Sequence, residues 1–228
     1  MRRLARAVRA LLALLLVYLA VAATWAATSS DELRAPHPVV PQVKLSPRQL
    51  DVLLAIEDPT FWSHPGLSLA NGQGLATISS AVARDLFLYG PKLDGVPGQL
   101  QNLYRAVFDC CRKVDLGRDT MALVLDARVA KERQLAIYVS GVYMGRHEGR
   151  QVRGLQEAAL AYLGKPLAAL GDDEMAQLVV MIQAPNALHP IRNRAAYALR
   201  LARARAVLAG RCKPAGWFDT TYAHCTAK

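Results

Sequence analysis

The chain has 228 residues, 53% of them hydrophobic, and a net charge of +10. That length supports one good core, with room for a small second lobe. The positive balance points to an anionic partner, whether phosphate, a membrane surface or nucleic acid, and charge alone does not separate these from a solvated basic surface.

Residues 1–9 form a basic end carrying Arg2, Arg3, Arg6 and Arg9, ahead of an uncharged run from Ala10 to Thr28. About 20 apolar residues cross a bilayer, so 10–28 is expected to be a transmembrane anchor. Positive charge on its N-terminal side puts the remainder across the membrane. The small residues Ala20, Ala22 and Ala23 offer cut sites, which leaves a cleaved signal peptide as the alternative. Both readings export the body. Residues 29–45, with Ser29, Ser30, Pro38 and Pro41, are expected to be a linker.

A helix is expected from Pro47, with Ser46 as N-cap, proline at the first helical position and Gln49 completing a capping box. Its apolar stripe is Leu50, Leu53 and Leu54, and the next position on that stripe is Glu57. A carboxylate on a buried face in a last helical turn has a raised pKa, which suits a general acid or base. The alternative is a Glu that bonds loop amides and only orders the turn. Pro59 ends the helix at Asp58.

Asn71-Gly72-Gln73-Gly74 is a Gly-rich loop leading into a helical stretch from Leu75 to Phe87, a place suited to hold an anion, with Arg84 two turns along. Residues 89–117 are irregular and contain Gly90-Pro91, Pro97-Gly98 and Cys110-Cys111-Arg112-Lys113. Helical stripes follow at Leu135, Tyr138, Val139 and Val142, and at Leu155, Ala158, Ala159 and Tyr162, the latter stopped by Gly164 and Pro166. Asp172 and Asp173 cap a helix with Met175, Leu178, Val179 and Ile182 on one face. The last helix, Ala195 to Leu208, carries Arg200, Arg203 and Arg205 on a face expected to meet anionic lipid or solvent. No series of alternating strands stands out, so the body is expected to be all-α. In an oxidising compartment Cys212 and Cys225 could join across the tail 211–228, while partners for Cys110 and Cys111 cannot be deduced. No Cys or His spacing resembles a zinc site, so no protein-bound structural metal is expected.

Several blocks resemble glycosyltransferase family 51, the peptidoglycan transglycosylases. Ile56-Glu57-Asp58, Phe61, His64 and Gly66 resemble its first signature. Gly74, Thr77, Ile78, Leu86 and Phe87 resemble the second; Arg84 stands where the family has a phosphate-contacting Lys, and Ala76 and Ser80-Ala81 depart from the pattern. Arg112-Lys113 resembles the start of the third, but the second Glu does not follow in that register. Aligning from Ala122 to Arg128 puts Arg118 at the Glu position, with Asp119 or Asp115 as substitutes of shorter reach. Lys131, Leu135, Tyr138, Val142-Tyr143 and Gly145 resemble the fourth signature, where Ser140 replaces an Asn. Gly154-Leu155, Ala158-Ala159, Tyr162 and Gly164-Lys165 resemble the fifth.

The resemblance covers about residues 46–210 and implies a lysozyme-like helical domain behind the anchor. It implies a peptidoglycan glycosyltransferase that polymerises lipid II into glycan strands and releases polyprenyl pyrophosphate at the bacterial inner membrane, with its catalytic domain on the periplasmic side. Glu57 would be the base and Asp119 the second carboxylate. Asp58, Phe61, His64, Thr77, Arg84, Lys113 and Lys131 would bind substrate. No cofactor held by protein ligands is implied; a divalent cation would bridge the substrate pyrophosphate. The implied partners are lipid II, the growing glycan strand, membrane lipids and cell-wall synthesis proteins, and no nucleic acid. One alternative is a non-catalytic relative that binds lipid-linked precursor or a wall-assembly partner. Another is a glycan hydrolase, which needs a second acid across a cleft. No Ser-x-x-Lys or Lys-Thr-Gly follows the matched region, so no penicillin-binding module is expected.

Overall fold

A computed structural model describes residues 1–34, 44–70, 75–89, 92–108, 115–217 and 219–225. The protein is mainly helical, as expected of a lysozyme-like domain, with one short β-hairpin. The chain divides into two compact units. The first comprises the N-terminal helix, Pro65–Leu67 and Ser79–Ala130; the second comprises the chain leading to His64, Ser68–Ile78 and everything from Lys131 onward.

In the first unit, helix α1 runs from Arg2 to Arg34, through the 10–28 run and into the stretch expected to be a linker. The rest of that stretch, 35–43, lies outside the described residues. Helix α1 is long and apolar enough to cross a membrane. Its early apolar positions such as Leu11, Leu14 and Leu16 are exposed, whereas Ala22, Trp25 and Ala26 are buried where it packs on helix α5, Leu116–Arg128. Gly117 leaves room for the Tyr18 hydroxyl there, since a Cβ at that position would lie 2.2 Å from it and push the ring aside. Helix α3, Ile78–Ala83, gives way at Arg84 to a π-helical turn, Arg84–Leu88, closed by the Tyr89 N–H on the Arg84 carbonyl at 2.8 Å. Helix α4, Gly95–Phe108, is tied back to that turn through Gln101, which donates to the Phe87 carbonyl, and Arg105, which donates to the Leu88 carbonyl.

In the second unit, helix α2 spans Pro47–Glu57 and carries the capping box written in its sequence. Ser46 Oγ accepts from the Gln49 N–H at 3.2 Å, and Gln49 Oε1 accepts from the Ser46 N–H at 3.0 Å. The Gln49 amide is buried because its NH2 group also satisfies the carbonyls of Leu167 and Leu170. Val52, Leu53, Leu54 and Ile56 are buried, so α2 is sunk on more than one face. It packs against helix α8, Asp172–Val179, and helix α9, Arg194–Leu208. Helix α6, Lys131–Gly141, leads into strands β1, Tyr143–His147, and β2, Arg150–Arg153. These strands pair antiparallel, and the hairpin qualifies the all-α expectation. Its turn places both Glu148 and Gly149 at positive φ, the twist-matched geometry for a two-residue loop. Helix α7, Leu155–Leu163, is stopped by Gly164 in the left-handed conformation.

Candidate active site

The last turn of α2 delivers two adjacent acids to different environments. The Asp58 side chain is fully buried, and its Oδ2 accepts from the Ile78 N–H at 2.8 Å and from His64 Nε2 at 3.0 Å. With Nε2 donating, the His64 Nδ1 lone pair faces the Lys131 Nζ, which lies 3.5 Å away. The same ammonium group sits 4.7 Å above the ring of the fully buried Phe61. Asp58, Phe61, His64 and Lys131, all expected to bind substrate, are therefore brought together as one connected cluster. Asp58 and Phe61 have no exposed surface and act within it as supports. Thr77 is buried one residue before the amide that Asp58 accepts.

Glu57 keeps a partly exposed surface. Burial raises its carboxyl from 4.5 to about 7; Arg200 and the Tyr138 hydroxyl pull it back, and the charge of Asp58 pushes it further up. The Tyr138 hydroxyl donates to Glu57 Oε2 at 3.4 Å. A carboxyl poised near neutrality at a partly exposed position suits proton transfer at physiological pH.

Arg200 overturns one expectation. It was expected on a solvent- or lipid-facing helix, yet it is 5% exposed, and its guanidinium lies 4.7 Å over the Tyr222 ring. Burial lowers its pKa and Glu57 opposes that shift, so the two are electrostatic partners. The sequence signal was present but faint: Arg200, Leu201 and Ala204 share the buried face of α9. Arg205, by contrast, lies outside and binds Asp173 through two hydrogen bonds of 2.6 and 2.8 Å.

The first unit holds two of the remaining expected residues. Asp119 is buried in the first turn of α5, with Oδ1 bound by Arg118 Nε at 2.9 Å and Nη2 at 2.6 Å. Its Oδ2 is buried without a hydrogen-bond partner, and burial raises its pKa against the pull of Arg118. Asp115 caps α5 by accepting from the Arg118 N–H at 2.9 Å. Arg84 opens the π-helical turn, exposed, with its Nε on Asp85 Oδ1 at 3.1 Å. Lys113 and the loop 71–74 lie outside the described residues.

The residues near Glu57 do not fit a protein-held cation, because the Asp58 carboxylate is buried and already accepts from the Ile78 N–H and His64. Among the described residues one His/Cys/Asp/Glu group has metal-ligand proximity: Cys212, His224 and Cys225. The two sulfurs are joined in a disulfide, and His224 Nδ1 is held by Asp219 at 2.8 Å, so His224 Nε2 is the one conventional ligand atom left in that group.

The sequence pattern of the family described as Transglycosylase matches residues 27–210, most of the chain. The chain belongs to that family. The chain is 34% identical over 149 residues to penicillin-binding protein 1B of Escherichia coli K12, covering 63% of this chain and 17% of that protein. It is 30% identical over 157 residues to penicillin-binding protein 1B of Vibrio cholerae, covering 63% of this chain and 18% of the relative. With penicillin-binding protein 1C of Escherichia coli K12 it shares 32% identity over 162 residues, covering 65% and 18%. The chain thus spans less than a fifth of the length of these relatives. The transglycosylase match takes in Glu57, the cluster around Asp58, and Arg200. The disulfide-closed loop after residue 210 lies beyond it.

Proposed function

We propose that this transglycosylase is a peptidoglycan glycosyltransferase that polymerises lipid II into glycan strands. Glu57 takes the proton of the acceptor sugar hydroxyl. The freed oxygen attacks the donor's anomeric carbon, the bond to the pyrophosphate oxygen breaks with its electron pair, and polyprenyl pyrophosphate leaves with inversion at carbon. Arg84, with Lys113 or Lys131, neutralises that leaving group. Asp119 is the second carboxylate, although its Oδ2, which has no hydrogen-bond partner, is buried. Asp58, Phe61, His64 and Thr77 hold the turn that carries the base. A divalent cation would be carried on the substrate pyrophosphate.

The observation that carries this reading is Glu57: a partly exposed carboxyl raised to about 7 beside Tyr138 and Arg200. The apolar α1 favours a single-pass anchor in the bacterial inner membrane, with the body on the periplasmic side beside a lipid-linked substrate. Its partners are then lipid II, the growing strand, membrane lipids and cell-wall synthesis proteins.

The test is polymerisation of purified lipid II by the anchored chain beside Glu57→Gln. Loss of a general base costs about 10²–10⁴-fold in rate, so strands from the first and none from the second are expected. A second reading, a non-catalytic protein that binds lipid-linked precursor or a wall-assembly partner, is favoured by one observation. Arg118 stands where the family pattern calls for the second Glu, and its guanidinium is engaged by Asp119. Retained lipid II binding with no product from the wild-type chain would support that second reading.

A further inference from the structure

The loop between Cys212 and Cys225 reaches back to the helix that carries the proposed base. Its Tyr222 is 1% exposed, and the hydroxyl donates to the Ile56 carbonyl at 2.9 Å, one residue before Glu57. The ring of the same tyrosine underlies the Arg200 guanidinium, the cationic partner of Glu57. One side chain therefore touches both the backbone that delivers the carboxylate and the cation coupled to it.

The loop is built to hold that side chain in place. Tyr222 sits at a φ of +50°, a left-handed conformation that costs energy for a bulky residue and persists only where its surroundings impose it. On its N-terminal side, Asp219 accepts from the N–H groups of Ala215 and Ala223 and pairs with His224. On its C-terminal side the Cys212–Cys225 disulfide fixes the chain three residues on. Trp217 Nε1 donates to the Ser68 carbonyl at 3.2 Å, and Gln183 donates to Thr220, so the loop is docked at further points. This segment follows the region matched by the family.

We propose that Tyr222 is a positioning residue for the Glu57–Arg200 pair, delivered by the Cys212–Cys225 loop, so that the geometry of the base depends on that disulfide being closed. The inference rests on Glu57 being the base. The titratable and charged groups coupled to Glu57 are Tyr138 from α6, Arg200 from α9, Asp58 beyond its own helix and Tyr222 from the loop, and Arg200 is coupled in turn to Arg203 and Asp219. Without the tyrosine ring, Arg200 loses its platform and water gains access to the pair, and both changes alter the field at Glu57.

The test compares the full chain with Tyr222→Phe, Tyr222→Leu and a Cys212→Ser/Cys225→Ser pair, each shown to be folded at assay temperature by circular dichroism. Two readouts are taken: the pH profile of lipid II polymerisation, and titration of the ¹³C-labelled Glu57 carboxyl, assigned by its absence in Glu57→Gln. Tyr222→Phe keeps the ring but loses the hydrogen bond to the Ile56 carbonyl, and is expected to move the midpoint less than Tyr222→Leu does. The Leu and paired Ser variants are expected to move it by about half a pH unit or more and to lower kcat about tenfold with little change in KM. A Leu variant whose Glu57 titrates as in wild type, its rate falling only with the folded fraction, overturns the positioning role. A Ser pair that titrates as in wild type overturns the dependence on the disulfide. Should the wild-type chain form no strands, the base reading fails, and the carboxyl titration still decides whether Tyr222 positions the pair.

Discussion

Replacing Glu57 with Gln should change how stability depends on pH, independently of any effect on activity. In the folded chain the carboxyl is raised from 4.5 to about 7, so the fold favours its protonated form. A group raised in this way contributes stability that is fully present below about pH 4.5 and is lost as pH climbs through 7. At about 1.4 kcal/mol per pH unit, the shift is worth up to about 3 kcal/mol. Gln is uncharged throughout and removes this dependence, although it leaves Arg200 without its opposing charge at every pH. The difference in unfolding free energy between variant and wild type should therefore move in favour of the variant by up to about 3 kcal/mol between pH 4.5 and pH 8. Chemical denaturation of both full chains in the same detergent, at half-unit pH steps, measures it, and the subtraction cancels groups common to both. Parallel curves across that window would refute the reasoning, because they would mean that Glu57 titrates in the folded chain as it does in the unfolded one.

Polymerisation should fall about tenfold per pH unit below about pH 7 and level off above it, since only ionised Glu57 accepts a proton; a profile flat from pH 5 to 8 would contradict this. Asp58→Asn removes the buried negative charge to which the Ile78 N–H and His64 both donate, and should cost about 2–4 kcal/mol, read as a fall in Tm. Gly66→Ala should cost at least about 2 kcal/mol or prevent folding, because the backbone there has a φ of +101° and the new Cβ would lie 2.5 Å from the Ala122 carbonyl oxygen. Thermal unfolding within a degree of wild type would count against that last expectation.

What the sequence made legible is mostly local. The capping box at Ser46 and Gln49, proline at the first helical turn and the position of Glu57 all follow from rules that act within a few residues, and the structure carries each of them. The hairpin was not legible: Tyr143 to Arg153 lacks a run of β-branched alternation, and its turn is Glu148-Gly149 rather than a strong Asn-Gly signal. The π-helical turn at Arg84 also has no local signature, since the helix ends with it and no apolar stripe follows to reveal the shifted register. At Asp119 the register offered Arg118, Asp119 and Asp115 without saying how they share charge. The structure shows Arg118 engaging Asp119 while Asp115 serves as the cap.

Arg200 shows why the centre of the site was harder to read than its edge. An α9 with arginines at 194, 200, 203 and 205 looks like a solvated helix, and periodicity does not say which arginine has a buried partner. That choice is made by groups remote in sequence: the charge of Glu57 and the ring of Tyr222. A buried guanidinium with Nε and Nη1 lacking hydrogen-bond partners is costly unless an opposing charge offsets the loss of water. Glu57 offers that charge only when ionised. The energetic conflict is therefore shared: burial drives the carboxyl toward its neutral form, while the arginine rewards ionisation. The balance near neutrality follows from that opposition, and either partner alone would remove it.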